Sequence, residues 1–91
     1  MQNLKKIAIE AHSASFKNKS ALEKEQLCGC FYCQRIYSSS KLKDENFIPE
    51  DDGVCTAWCP YCGIDSVIGE SQGYEITPEL LAEMRRIWFD S

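Results

Sequence analysis

Apolar residues at helical spacing predict two short helices in the first quarter of the chain. Residues 3–11 have apolar side chains at i, i+3, i+4 and i+7, a pattern typical of an amphipathic helix: Leu4, Ile7, Ala8 and Ala11. A second helix is predicted to begin at Ser20, because Ser20 and Glu23 have the spacing of a capping box. We expect it to be short, since Cys28 follows soon after it.

A third helix is predicted over Pro78–Phe89. Thr77 can cap it, and Pro78 suits the first helical position. Its apolar stripe consists of Leu80, Leu81, Met84, Ile87 and Trp88. A helix of this length is marginal alone in water, so we expect the stripe to be buried. The surface that we expect it to cover carries Trp58, Ile64 and Ile68.

Between these helices the pattern favours short strands and turns. The predicted strands are Gln34–Ser38, Val54–Trp58 and Ile64–Gly69, and the predicted turns are Glu50–Gly53 and Glu70–Gly73. Residues 39–46 are polar and suit a loop or one helical turn. Phe47–Pro49 is predicted to be an apolar contact followed by a break. The fold class is therefore α+β: a small β core with N-terminal helices and one C-terminal helix.

The length and composition indicate one domain over residues 1–91, because 91 residues leave no room for a second core. No apolar run approaches the ~20 residues that a membrane span requires. A signal peptide is not visible either, so we expect a cytoplasmic protein that does not enter membranes.

The formal net charge of −4 bears on the kind of partner. Nucleic-acid binding needs basic groups that neutralise phosphates, so an acidic chain makes it an unfavourable hypothesis. The charge is also uneven: residues 1–24 are rich in lysine, and residues 44–91 are rich in acids. These regions are either two solvated faces or an acidic surface for a basic partner, and charge alone does not choose between them.

Two C-x-x-C pairs are the strongest chemical signal in the sequence. Cys30 and Cys33 form the first pair, Cys59 and Cys62 form the second, and 25 residues separate them. Each C-x-x-C turn can direct two sulfurs at one ion, so two turns supply a tetrahedral site of four thiolates. The pattern predicts one structural zinc(II) ion bound by these four cysteines. The separation slightly exceeds the usual spacing and implies a small insertion over 38–50.

Two further cysteines and one histidine leave alternatives open. Cys28 could replace Cys30 as a ligand, and Cys55 could line the core without binding metal. Both could instead be small buried side chains, bind a second metal, or form a disulfide under oxidation. His12 is either a helix-end surface residue or a functional group, and Asp65 or Ser66 points inward from its strand.

Other classes of protein share parts of the cysteine pattern. Cys59–Cys62 has the letters of the glutaredoxin redox motif, but a redox C-x-x-C begins a helix, whereas Ile64, Val67 and Ile68 favour a strand here. The second pair followed by Gly63 is also similar to an iron-binding turn of rubredoxins. The first pair, however, is followed by Gln34 instead of glycine. Both readings are less favoured than structural zinc.

These segments together resemble a family of small, uncharacterised bacterial cytoplasmic proteins with paired C-x-x-C motifs. The resemblance rests on Cys28–Cys33, Cys59–Gly69, Met84 with Trp88 and Phe89, His12 with Ser13, and Asn18 with Lys19. It spans nearly the whole chain and implies a zinc-ribbon-like protein without an assigned reaction. Cys28 belongs to the family pattern, whereas Cys55 departs from it.

The function that this sequence favours is a non-enzymatic, zinc-stabilised interaction or regulatory module whose partner is another protein. The alternative is a small hydrolase or thiol redox enzyme that uses His12 with Asp65 or a free cysteine. For the favoured function, the sequence predicts no catalytic residue.

Overall fold

A computed structural model describes residues 3–90. The helices are α1 (Leu4–Ala11), α2 (Lys19–Leu22) and α3 (Pro78–Trp88), and the strands are β1 (Leu27–Cys30), β2 (Ile36–Ser38), β3 (Phe47–Pro49), β4 (Cys55–Ala57) and β5 (Val67–Gly69). Four single turns of 3-10 helix lie at 12–15, 39–41, 44–46 and 70–72. The predicted α+β class, with N-terminal helices and one C-terminal helix, is confirmed. No helix within 3–90 has the length and apolar character needed to cross a membrane.

The strands form a three-stranded antiparallel sheet and a separate hairpin. The sheet has the order β2-β1-β5, and the hairpin joins β3 to β4. On the central strand β1, Cys28 lies opposite Tyr37 of β2 and Gly69 of β5, while Cys30 lies opposite Val67. Because β2 follows the first cysteine pair and β5 follows the second, this register brings the two pairs to the same end of the sheet.

The strands are shorter than predicted, and two of them, β1 and β3, were missed. The backbone around Gln34 and Ile64 belongs to the cysteine turns, so β2 begins at Ile36 and β5 at Val67. The interpretation of Phe47–Pro49 as a contact followed by a break is wrong, since it pairs with Cys55–Ala57. Proline is tolerated there because it ends an edge strand.

The predicted capping box is also wrong. Helix α2 begins at Lys19, so Ser20 lies inside the helix, and Glu23 follows its last residue. The Glu23 carboxylate pairs instead with the Lys19 ammonium. Asn18 occupies the N-cap position, but its side chain makes no capping bond to the helix.

The Asn18 amide joins three distant parts of the backbone. Its Nδ2 donates to the carbonyls of Ala14, at 3.0 Å, and of Val67, at 2.8 Å. Its Oδ1 accepts from the amide of Ala57 at 2.9 Å. Asn18 is only 3% exposed, so these bonds satisfy its amide away from water. One side chain therefore connects the N-terminal segment to both β4 and β5.

Helix α3 packs into a core cluster through Leu80, Leu81 and Met84 as predicted, whereas Trp88 of the predicted stripe is 37% exposed. Thr77 caps it through a bond from the Leu80 amide. The buried members of this cluster are Ala8, Ala11, Phe31, Ile68, Ile76, Leu80, Leu81 and Met84. The expectation that the helix covers Ile68 is confirmed. Trp58 and Ile64 lie outside the cluster, so those two contacts were predicted wrongly.

The close approach of α3 to the sheet depends on a glycine in β1. A Cβ atom on Gly29 would lie 2.9 Å from Leu81 Cδ1 and 3.0 Å from Ile76 Cγ2. Carbon atoms do not pack this closely without displacement, so Gly29 provides the space in which Leu81 is buried.

Candidate metal centre

The first cysteine turn folds the backbone around the sulfur of Cys30. The Tyr32 amide donates to Cys30 Sγ at 3.4 Å, and the Gln34 amide donates to the Cys30 carbonyl at 2.8 Å. The Cys30 amide in turn donates to the Arg35 carbonyl at 3.0 Å. These bonds hold Cys33 beside Cys30, so both sulfurs point to the same side.

The second turn repeats this arrangement. The Tyr61 amide donates to Cys59 Sγ at 3.4 Å, and the Gly63 amide donates to the Cys59 carbonyl at 2.9 Å. The Cys59 amide donates to the Ile64 carbonyl at 2.9 Å. The two C-x-x-C pairs are thus built by the same local bonds, although 25 residues separate them in the sequence.

The four sulfurs of these turns lie together. Cys30 Sγ is 3.6 Å from Cys62 Sγ, and Cys33 Sγ is 3.8 Å from Cys59 Sγ. All four sulfurs lie within 4.8 Å of one another. With metal–sulfur bonds of about 2.3 Å, the edges of a sulfur tetrahedron are about 3.8 Å long. The donor set and its spacing therefore fit one tetrahedral metal ion.

Each turn contributes one buried sulfur, called here the inner sulfur, and one partly exposed sulfur, called the outer sulfur. Cys30 and Cys59 are buried, whereas Cys33 and Cys62 are partly exposed. Burial raises the pKa of Cys30 to about 11, despite bonds from Ser66 and from backbone amides. Burial also raises the pKa of Cys59, but the Tyr37 hydroxyl and the amides of the turn outweigh it and lower the net pKa. Metal binding must remove the remaining protons from these thiols.

Two buried hydroxyls belong to the surroundings of the inner sulfurs. Ser66 Oγ lies 3.0 Å from Cys30 Sγ, and Ser66 is 1% exposed. Tyr37 packs in the same core cluster as Cys59. Within residues 3–90 its buried hydroxyl has no hydrogen-bond partner. The expectation that Asp65 or Ser66 points inward holds for Ser66, whereas sequence reasoning missed Tyr37.

Cys28 and Cys55 lie outside the group of four sulfurs. Cys28 is fully buried in β1, where burial raises the pKa of its thiol to about 12. Cys55 is partly exposed at the start of β4. The arrangement favours Cys30 over Cys28 as the partner of Cys33, and it places Cys28 as a small apolar side chain of the core.

His12 lies in an open groove of about 470 Å³ between the N-terminal segment, Phe31 of the first cysteine turn, the segment that follows the second turn, and the end of α3. We call it the aromatic groove; its larger lining residues are His12, Phe16, Phe31, Asp65, Trp88 and Phe89. The His12 ring stacks on Trp88, with centroids 3.9 Å apart. The Trp88 indole donates to the Ala8 carbonyl at 3.3 Å, which fixes this wall of the groove.

The backbone after Cys62 distinguishes the site from a dithiol redox centre. Gly63 has a left-handed φ of 76°, and the next regular element is the strand Val67–Gly69. A redox C-x-x-C lowers the pKa of its first thiol through the N-terminus of a following helix, and none follows here. The sequence-based preference against a glutaredoxin-like centre agrees with this geometry.

Comparisons with protein-family models, with curated proteins and with solved structures give no match to this chain. The conclusion that these observations carry is that the chain is a mixed α+β protein in which four cysteines from two matching turns can hold a metal ion.

Proposed function

We propose that this chain is a non-enzymatic, zinc-stabilised module that binds a basic segment of a partner protein. The observation that carries the metal assignment is the set of four converging sulfurs from two turns. An ion with four protein thiolates has no open position for water or substrate, and such closed sites are structural. Tetrahedral four-sulfur sites select zinc or iron, and zinc suits a purely structural role.

Zinc would add to the stability of the end of the molecule that carries the cysteine turns. Four buried members of the core cluster there are small: Cys28, Cys30, Ala57 and Cys59. The other four are Leu22, Tyr37, Leu42 and Val67, so hydrophobic burial also contributes. A structural zinc ion contributes on the order of 10 kcal/mol to folding and would hold the two turns together.

Native mass spectrometry and chelation test the metal proposal. We expect one zinc and no iron per chain. Removal of the ion with a chelator should abolish cooperative thermal unfolding, and restored zinc should recover it. A metal-free protein that melts at the temperature of the loaded protein would contradict the proposal, as would an isolated protein that carries iron and exchanges electrons.

The aromatic groove supports an interaction role. Phe16, Trp88 and Phe89 line it and are 52%, 37% and 40% exposed. Large apolar side chains gathered around one concave surface are typical of interaction sites. Phe31 of the first cysteine turn and Ser66 also line the groove, and both are buried, so this part of its wall is already packed before a partner binds.

The charges around the groove support a basic segment as the occupant. Asp65 is the only carboxylate among the groove residues that the structure describes, and within 3–90 it forms no ion pair. The chain has a net charge of −4, and four thiolates with one zinc ion would add about −2. An arginine of the partner could stack on the aromatic rings and pair with Asp65.

The enzyme alternative has weaker support. His12 and Asp65 do share the groove, but no hydrogen bond joins them in the described part of the chain, and His12 stacks on Trp88. The groove serines are occupied: Ser13 and Ser15 donate to backbone carbonyls, and Ser66 contacts Cys30. A nucleophilic mechanism requires a hydroxyl or thiol held by a base, so these contacts favour binding over hydrolysis.

Defined peptides test the groove. Fluorescein-labelled nonapeptides that alternate leucine with arginine, glutamine or glutamate differ only in charge. We expect the arginine peptide to bind best in fluorescence anisotropy. Asp65→Asn should weaken it about two- to fivefold, since an exposed ion pair contributes up to about 1 kcal/mol. Phe16→Ala should weaken it by loss of apolar contact.

Two substitutions outside the groove are matched controls. Asp51→Asn removes the same charge from an exposed turn, and Val54→Ala removes an exposed apolar side chain. Neither should change binding if the groove is the site. If Asp51→Asn weakened binding as much as Asp65→Asn, the effect would be due to net charge alone, and the groove would not be the binding site. Absence of binding by the arginine peptide would also contradict the proposal.

A further inference from the structure

Each cysteine turn is contacted by a hydroxyl-bearing side chain from the segment that follows the other turn. Ser66 is the seventh residue after Cys59, and Tyr37 is the seventh residue after Cys30. Ser66 does not contact the sulfur of its own turn but that of Cys30, at 3.0 Å. Tyr37 likewise reaches the other turn, where its ring lies edge-on to Tyr61 with centroids 5.1 Å apart.

We propose that Ser66 and Tyr37 are a crossed pair of positioning residues that donate hydrogen bonds to the metal-bound thiolates of Cys30 and Cys59. The inference rests on the proposed metal site. Each inner sulfur would then accept one backbone amide from its own turn and one hydroxyl from the other turn.

The buried hydroxyl of Tyr37 supports this assignment. It has no hydrogen-bond partner of ordinary geometry within the described residues, and a buried polar group without a partner is destabilising. Tyr37 is 7% exposed and packs in the same cluster as Cys59, so water is excluded from its surroundings. A thiolate accepts hydrogen bonds far better than a thiol, and metal binding at Cys59 would supply that acceptor.

The crossed hydroxyls would act on the metal in two ways. They withdraw negative charge from the inner sulfurs, which makes four thiolates around one ion less repulsive. They also fix the side-chain torsion of each inner cysteine from the opposite turn, so that one turn cannot release the ion without disturbing the other. Partners of this kind typically contribute 10- to 100-fold in metal affinity.

Tyr37→Phe and Ser66→Ala test the inference without removing a ligand. In competition with a chromophoric chelator, each variant should bind zinc roughly tenfold more weakly. With cobalt(II) in place of zinc, the sulfur-to-metal charge-transfer bands should move to lower energy, because a thiolate without its hydrogen bond gives up an electron more easily. A loss of packing alone would not shift these bands.

Matched controls are available in the same region. Tyr61→Phe removes an exposed hydroxyl from the second turn, and Ser39→Ala removes a buried hydroxyl that bonds only backbone groups. Both should retain the wild-type cobalt spectrum. If Tyr37→Phe does not fold, Ser66→Ala still tests the bond to Cys30, and a wild-type spectrum and affinity in that variant would overturn the crossed pair.

The outcomes separate this inference from the proposed metal site. Shifted bands and weaker binding in the two hydroxyl variants, with unchanged controls, support the crossed pair. Variants that keep the wild-type spectrum and affinity overturn the crossed pair and leave the metal site standing. A wild-type protein that binds neither zinc nor cobalt overturns both.

Discussion

Gln34 and Gly63 occupy the same position in the two cysteine turns, immediately after the second cysteine of each pair, and both have left-handed backbone angles. Their φ values are 65° and 76°. Glycine adopts this conformation without steric conflict, whereas a side chain with a Cβ atom is strained there. The turn geometry requires the conformation, because the amide at this position donates to the carbonyl of the first cysteine. Gln34 therefore lies where glycine would suit the turn better.

Gln34→Gly should stabilise the zinc-loaded protein by about 1 kcal/mol. The gain is the relief of left-handed strain, reduced by the larger freedom of glycine in the unfolded chain. Urea unfolding followed by far-UV circular dichroism measures it. Gly63→Ala is the reciprocal variant and should lose about as much, since an added Cβ there meets nothing within 4 Å. A Gln34→Gly protein no more stable than wild type would contradict the strain argument.

Serine substitutions should separate the ligand cysteines from Cys55. Cys30→Ser or Cys59→Ser should abolish cooperative folding, because each removes a ligand of an ion that contributes on the order of 10 kcal/mol. Cys55→Ser should lower the free energy of unfolding by no more than ~1–3 kcal/mol, because it places a hydroxyl in a partly buried position. Thermal melting in the presence of zinc compares them. Equal losses for all three variants would instead make Cys55 a ligand.

Alkylation of the zinc-loaded protein should be confined to Cys55. The thiolate is the reactive form, and burial both excludes reagent from Cys28 and raises its pKa to about 12. The four remaining sulfurs are held by the ion. Intact-mass spectrometry after brief iodoacetamide treatment should show one adduct, which peptide mapping places at Cys55. Modification of Cys28 at a similar rate would mean that β1 opens in the native protein.

Truncation after Ile76 should abolish cooperative melting even with zinc present. It removes Leu80, Leu81 and Met84, which are 2% exposed or less. Burial of such side chains contributes ~1.5–3 kcal/mol each, comparable in sum to the net stability of a small domain. The milder variant Leu81→Ala should lose about 3 kcal/mol, and Glu79→Ala, on the exposed face, should be nearly neutral. If the truncated protein still melted near the melting temperature of the full-length protein, α3 would instead be a partner-binding helix that the fold does not need.

The elements with strong local signals were predicted well. Thr77 and Pro78 mark a helix start through short-range capping, so the start of α3 at Pro78 could be read from adjacent residues. The cysteine turns are local as well, because each closes over four or five residues. Gly53 also has the positive φ expected of its turn, at 85°.

The failures concern residues whose roles depend on distant parts of the chain. Ser20 and Glu23 have capping-box spacing, yet the helix starts at Lys19 because Asn18 is held by tertiary bonds. Phe47–Pro49 is too short to carry a strand pattern, and it forms a strand only because β4 pairs with it. Trp58 was predicted to lie on the face that α3 covers, but it is 38% exposed. Tyr37 and Ser66 lie at the same distance along the chain from Cys30 and Cys59, and this spacing could have identified them as a pair. It was overlooked because a tyrosine and a serine do not look equivalent.

The bonds of Asn18 bear on how the molecule opens. Its amide holds backbone groups of Ala14, Ala57 and Val67, which belong to segments on both sides of the cysteine turns. Local fluctuations usually remain confined to one segment, and they let individual amides exchange with solvent hydrogen without global unfolding. The Ala57 amide thus donates to an acceptor that is itself held at two other points, which restricts local opening of β4. We therefore expect hydrogen exchange at Ala57 to be slower than is usual for a strand of three residues.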